Sequence, residues 1–182
     1  YSKIIDQSKK HLFIGVPTSG TTLSTGLARH KQLPLAIIEK NNHEKIHIFT
    51  YEDQQKILLK YIEQFGDLDI SKTVFLGLED IGTLFSTALG IHYNVPSAIL
   101  RRKRKTHGTC SLIEADLGKF LFKGYTNICI INDLVNPMNE DDLLKSTLPE
   151  LKKFKSIKII TLNKDETGCS KDLDLTHFWE YN

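Results

Sequence analysis

The stretch Thr73-Val74-Phe75-Leu76-Gly77-Leu78-Glu79-Asp80-Ile81-Gly82 decides the fold. Val74–Gly77 is a short apolar run of strand length, and Leu78–Gly82 is a turn closed by glycine. Apolar residues at helical spacing follow, predicting an amphipathic helix, and Pro96-Ser97-Ala98-Ile99-Leu100 reads as a second strand. Then comes a dense basic run, Arg101-Arg102-Lys103-Arg104-Lys105-Thr106-His107-Gly108. After a short hairpin-like piece, Ile128-Cys129-Ile130-Ile131 reads as a buried strand with Asn132-Asp133 at its carboxyl end. Strand, turn, helix, strand, basic loop, strand, acid is the order that builds a site at the carboxyl edge of a parallel sheet.

The flanks continue the alternation. Residues 11–16 predict a buried strand, Thr21–Lys31 a helix, Pro34–Ile38 a strand, and Ile46, Ile48 and Thr50 an alternating strand. Glu52–Phe65 is the clearest helix, with Ile57, Leu58, Tyr61, Ile62 and Phe65 at helical spacing before Gly66-Asp67. Asn139 opens a further helix through Leu151, and Lys158–Leu162 is a strand; the polar tail carries an apolar cluster at Phe178 and Trp179. At 182 residues, one α/β domain over 1–182 with a mostly parallel sheet is the expectation.

The chain echoes itself. A shift of 62 positions carries Gly15–Lys40 onto Gly77–Arg102 and superposes ten identities: Gly15/Gly77, Gly20/Gly82, Thr21/Thr83, Ser24/Ser86, Thr25/Thr87, Leu27/Leu89, His30/His92, Pro34/Pro96, Ala36/Ala98 and Ile37/Ile99. Both copies read as βαβ units with a glycine-bounded turn before the helix, where free N–H groups and the helix dipole favour an anion. Thr18, Ser19, Gly20 and Thr21 are thus a candidate second anion turn; the alternative is two crossovers alike only in shape. In the later copy, Glu79 and Asp80 would repel an anion unless a metal intervenes.

Composition narrows the function. Net charge is +2, and the positive charge is concentrated in one run without interleaved aromatic residues, which argues against a nucleic-acid binder. No apolar run approaches a membrane span, and Tyr1–Gln7 lacks the basic-then-apolar pattern of a signal peptide. Cys110, Cys129 and Cys169 form no CxxC pair and suit reduced thiols, so a cytoplasmic location is expected. His43-Glu44-Lys45-Ile46-His47 matches the zinc-protease HExxH pattern, which needs a helix to bring both imidazoles to one metal. Strand-like alternation here would hold them roughly 13 Å apart. The basic run itself is either a solvated loop or a mobile cationic loop that closes over a polyanionic substrate, with His107 exchanging a proton and Gly108 serving as hinge.

Arg101–Gly108 resembles the catalytic loop of orotate phosphoribosyltransferases, whose pattern is Arg-Lys-x-x-Lys-x-His-Gly; Arg101, Lys105, His107 and Gly108 match, with Arg102 at the Lys position. Gly77–Gly82 is similar to that family's pyrophosphate-binding turn, Ile130–Val135 to its phosphoribosyl-pyrophosphate strand, and Leu162–Gly168 to a segment that helps hold orotate. The resemblance spans residues 45–170 and implies a type I phosphoribosyltransferase fold. It implies transfer of ribose 5-phosphate from phosphoribosyl pyrophosphate to orotate or a related base, in pyrimidine nucleotide synthesis. By the same resemblance Lys105, His107 and Asp133 would be catalytic, with Mg²⁺ on Asp133. Gly77, Glu79, Asp80, Gly82, Arg101, Arg102, Asn132, Asn136 and Lys164 would contact substrate, and the chain would form a homodimer. The sequence departs from the pattern where Asn132 replaces an acid, where Asn136-Pro137-Met138-Asn139 replaces a glycine-containing phosphate cradle, and where Lys164 replaces an Arg. The other expectation from these departures is a chain that keeps the fold without catalysing, and binds a nucleotide or a protein partner.

Overall fold

The computed structural model describes residues 13–15, 19–38, 46–79, 81–102, 104, 111–132, 147 and 149–161. Its centre is a four-stranded, all-parallel sheet in the order β5-β4-β6-β7, from β4 (Thr73–Leu78), β5 (Ser97–Leu100), β6 (Asn127–Asn132) and β7 (Ser156–Thr161). The helix α3 (Ile81–Tyr93) crosses from β4 to β5, and the short α4 (Leu117–Phe122), capped by the Asp116 carboxylate, precedes β6. The chain is α/β with a parallel sheet flanked by helices, as its alternation predicts.

The first copy of the repeat forms a sheet of its own, which the sequence reading did not separate from the central one. Strands β1 (Phe13–Gly15) and β2 (Leu35–Ile38) run parallel on either side of α1 (Ser19–Lys31), and β3 (Ile46–Phe49) adds antiparallel to β2. The two copies agree to the residue. Phe13 stands opposite Leu35 and Phe75 opposite Ser97, the same register at the same shift. Leu33 N–H donates to Ala28 O at 2.9 Å and Val95 N–H to Gly90 O at 2.9 Å. Gln32 and Asn94, 62 apart, both hold φ at 55° where their helices stop.

Helix α2 (Tyr51–Glu63) starts one residue earlier than apolar spacing suggested, because Thr50 caps it. The Asp53 N–H donates to Thr50 Oγ1 at 3.1 Å and the Thr50 N–H donates to Asp53 Oδ2 at 3.1 Å, a capping box. Gly66, at φ 56°, ends the segment beyond it. Of the helix read from Asn139, Thr147 and 149–151 are described and helical; the tail with Phe178 and Trp179 lies outside the described residues.

Strand pleating sorts the core into two layers. Val74, Leu76, Leu78, Ile128, Ile130, Ile157 and Ile159 face Leu112, Ile113, Leu117, Leu151 and Phe154. Phe75, Cys129, Ile131 and Ile160 face the other way, against Leu84, Phe85, Ala88 and Leu89 of α3, Leu58, Tyr61 and Phe65 around α2, and Ala28 and Leu35 of the first copy. One apolar cluster therefore joins both sheets. Helix α3 is buried continuously from Gly82 to Gly90, with α1 also packed against it, so it is a central layer rather than the one-sided helix its sequence suggested. No described helix is long and apolar enough to cross a membrane.

Candidate functional site

Strand order locates the candidate site. From β4 the chain crosses to β5 on one side, then returns to β6 on the other, so the connections diverge between β4 and β6. Open α/β sheets bind ligands at the carboxyl ends of the strands flanking such a switch point. Here those ends are the turn after Leu78 and the residue Asn132.

Two glycines let the backbone close around this point. A Cβ on Gly77 would lie 2.2 Å from Ser86 Oγ, 2.4 Å from Thr83 Cα and 2.5 Å from Gly82 O. A Cβ on Gly82 would lie 2.3 Å from the Ile131 carbonyl oxygen and 3.4 Å from Asn132 Cα. Only hydrogen fits at either place, so the first turn of α3 seats directly on the end of β6. Thr83 Oγ1 donates to Gly77 O at 3.4 Å, and Ser86 Oγ to Thr83 O at 3.1 Å. From the far layer, the buried Tyr61 hydroxyl donates to Asn132 O at 2.8 Å, tying α2 to the same strand end.

The basic run begins inside this structure. Arg101 is buried: Nη1 donates to Glu79 Oε1 at 2.8 Å, Nε donates to Glu114 Oε1 at 2.7 Å, and Nη2 also meets Glu114. Arg102 Nε donates to the Glu79 carbonyl at 2.7 Å, and the Glu79 N–H donates to Leu100 O at 3.0 Å. The expectation of a solvated or mobile loop is corrected at Arg101, which is held inside the fold. Two carboxylates offset its charge, and its planar guanidinium reaches both at once. Equally, Glu79 does not stand as a bare negative charge in the turn, as its sequence position suggested, because Arg101 neutralises it.

Glu114 escaped the sequence reading. The antiparallel bridge between Leu100 and Ile113, with Arg101 N–H donating to Leu112 O at 2.7 Å and Glu114 N–H to Ile99 O at 2.9 Å, forms a stem that brings Glu114 to Arg101. The hairpin-like character of this piece was the available signal; an acid one step past the turn-back is the natural partner for an Arg at its start.

Of the predicted site residues, Gly77, Glu79, Gly82, Arg101, Arg102 and Asn132 are brought together at the carboxyl edge. Lys105, His107, Asp133, Asn136, Lys164, Asp80 and Thr18 lie outside the described residues. Ser19, Gly20 and Thr21 form the first turn of α1. Within the HExxH match, His47 lies in β3 opposite Ile37, on a strand rather than a helix, and the described residues contain no group of three His, Cys, Asp or Glu able to hold a metal. At the opposite edge of the sheet, side-chain hydrogen bonds tie the strand starts together. There Asn127 donates to Asp69 O at 3.3 Å and accepts from Ser156 Oγ at 3.0 Å.

No protein-family model matches this chain, and no curated protein matches it by sequence. Among solved structures, it is similar to adenine phosphoribosyltransferase from Saccharomyces cerevisiae, solved with adenine and an iminoaltritol bisphosphate. The match covers 83% of this chain and 92% of that one, at 16% identity and a TM-score of 0.43.

Proposed function

We propose that this chain is a type I phosphoribosyltransferase-like enzyme that transfers ribose 5-phosphate from phosphoribosyl pyrophosphate to orotate or a related base. The observation that carries the reading is the switch point between β4 and β6, where a glycine-tight turn, the start of the basic run and the Asn132 strand end converge. Transfer breaks the C1–O bond of the sugar as negative charge develops on the departing pyrophosphate. Lys105 would neutralise that charge and His107 would donate a proton or hydrogen bond to it. Asp133, next after Asn132, would hold the ribose hydroxyls or face the cationic sugar. Arg101 takes a different part from the one its place in the run suggested. Spent on Glu79 and Glu114, it anchors the base of the run to the turn.

Mg²⁺ belongs to the proposal as a charge-neutralising ion with Asp133 as its ligand. The described residues build no cage for it, since Glu79 is engaged by Arg101, so no step is assigned to it. A homodimer and a cytoplasmic location are likewise proposed. A second reading is a non-catalytic binder of nucleotide or protein; the internal use of Arg101 favours it, because one cation of the run is withdrawn from any substrate.

Isothermal titration with phosphoribosyl pyrophosphate, with and without Mg²⁺, separates the readings when followed by an absorbance assay of orotate consumption. The enzyme reading expects Mg²⁺-dependent binding and turnover that falls about 10²-fold or more in Lys105→Ala. Binding without turnover on any base leaves the binder, and no heat at millimolar ligand ends both nucleotide readings.

A further inference from the structure

Helices α1 and α3 are the same helix of the repeat, yet one face differs. In α3 the positions Leu84, Thr87 and Ile91 carry it, with Leu84 fully buried in the core. In α1 the corresponding residues are Thr22, Thr25 and Arg29, which share one face at i, i+3 and i+7. Long helical side chains lean toward the N-terminus, the direction in which Thr25 and Thr22 precede Arg29 on this face.

These polar groups are buried and unanswered. Thr22 Oγ1, Thr25 Oγ1, and Arg29 Nε and Nη1 are all sealed from solvent and have no hydrogen-bond partner among the described residues. Thr25 is wholly buried. Burial pushes the Arg29 pKa down, and the phenol of Tyr51 is the neighbour that opposes the shift. A buried polar group left unpaired is destabilising, and a charged one more so. The second copy keeps the threonine at 87 but has Leu84 and Ile91 at the other two places, so the same crossover folds without Thr22 and Arg29.

We propose that this face of α1 is a binding site for a small oxyanion, a phosphate or carboxylate group, held by the Arg29 guanidinium with the Thr22 and Thr25 hydroxyls as further donors. A guanidinium edge offers two parallel N–H groups to two oxygens of either anion, and each hydroxyl can turn its proton toward the same ligand. The site is separate from the carboxyl edge of the central sheet and does not rest on the transferase reading.

The test is thermal unfolding and ligand titration of the full chain with inorganic phosphate and, separately, acetate, on wild type, Arg29→Met and Thr25→Val. The wild type is expected to gain stability with millimolar anion. Phosphate alone acting identifies a phosphate site, and acetate acting as well identifies a general carboxylate site. Both variants, freed of unpaired polar groups, are expected to melt no lower than wild type without anion and to bind it at least about tenfold more weakly. Thr25→Val preserves shape and carries the test if Arg29→Met does not fold. An undiminished anion response in the variants would place the ligand elsewhere and overturn the proposal. So would a wild type indifferent to both anions up to about 50 mM, since binding weaker than that is below any specific contact.

Discussion

Arg101 Nη1 stands 2.8 Å from Glu79 Oε1, with each side chain only 3% exposed. The pair joins the strand end of β5 to the turn after β4, and Glu114 closes it from the other side. Removing one member of a buried ion pair strands the other in a medium that cannot solvate it. Arg101→Ala is therefore expected to destabilise the fold by about 3–5 kcal/mol in urea unfolding. Glu114→Gln should cost only about 1 kcal/mol, because Glu114 is partly exposed and Arg101 keeps Glu79. Equal losses would show that the stem, not the Glu79 pair, secures the turn.

The glycines divide by what a methyl group would meet. At Gly77 and Gly82 it would strike backbone atoms at 2.3–2.5 Å, which cannot swing aside. Each change to Ala should cost about 1–3 kcal/mol or more from overpacking. At Gly26, inside α1, the same methyl group would lie an ordinary 3.7 Å from Ile91 Cδ1. Gly26→Ala should stabilise by about 0.5–1 kcal/mol through helix propensity. Denaturation midpoints of the three variants check the division.

Gln32 and Asn94 both hold a left-handed backbone that a β-carbon resists. Gln32→Gly should raise stability by about 1 kcal/mol, and Asn94→Gly by less, because Asn tolerates this conformation better. Thermal melts of the two variants should rank in that order.

Burial pushes the Cys129 thiol far up, while the nearby Lys158 pulls it down more weakly. The folded state keeps its proton where the unfolded thiol, near pKa 8.5–9, has lost it. Above that pH the folded state binds more protons, so stability falls as pH rises. Wild type should lose about 1.4 kcal/mol per pH unit more than Cys129→Ala above roughly pH 9. Parallel pH profiles from urea unfolding would refute it.

Legibility followed the local rules. Apolar runs and glycine turns marked β4, α3, β5 and β6 because each element's pattern is written within its own residues. The boundary of α2 slipped by one because the capping pair Thr50 and Asp53 is a side-chain signal, not an apolar one. The short α4 carries too few turns for a periodic signal and was missed. Separation into two sheets was hidden because strand pairing joins residues distant in sequence. The site was legible where chemistry is local, as in the glycine turn, and illegible where it depends on pairing. Nothing adjacent to Arg101 announces that its partners are Glu79 and Glu114.

The matched left-handed stops at Gln32 and Asn94 show one backbone plan used twice in the chain. The two crossovers share helix limits 62 positions apart, one strand register and one dihedral signature. The later copy carries apolar Leu84 and Ile91 and sits where β6 and β7 extend its sheet; the earlier one holds Thr22 and Arg29 at those places. The same scaffold therefore accepts an apolar or a polar face, because torsion angles and backbone hydrogen bonds, rather than those side chains, set its path.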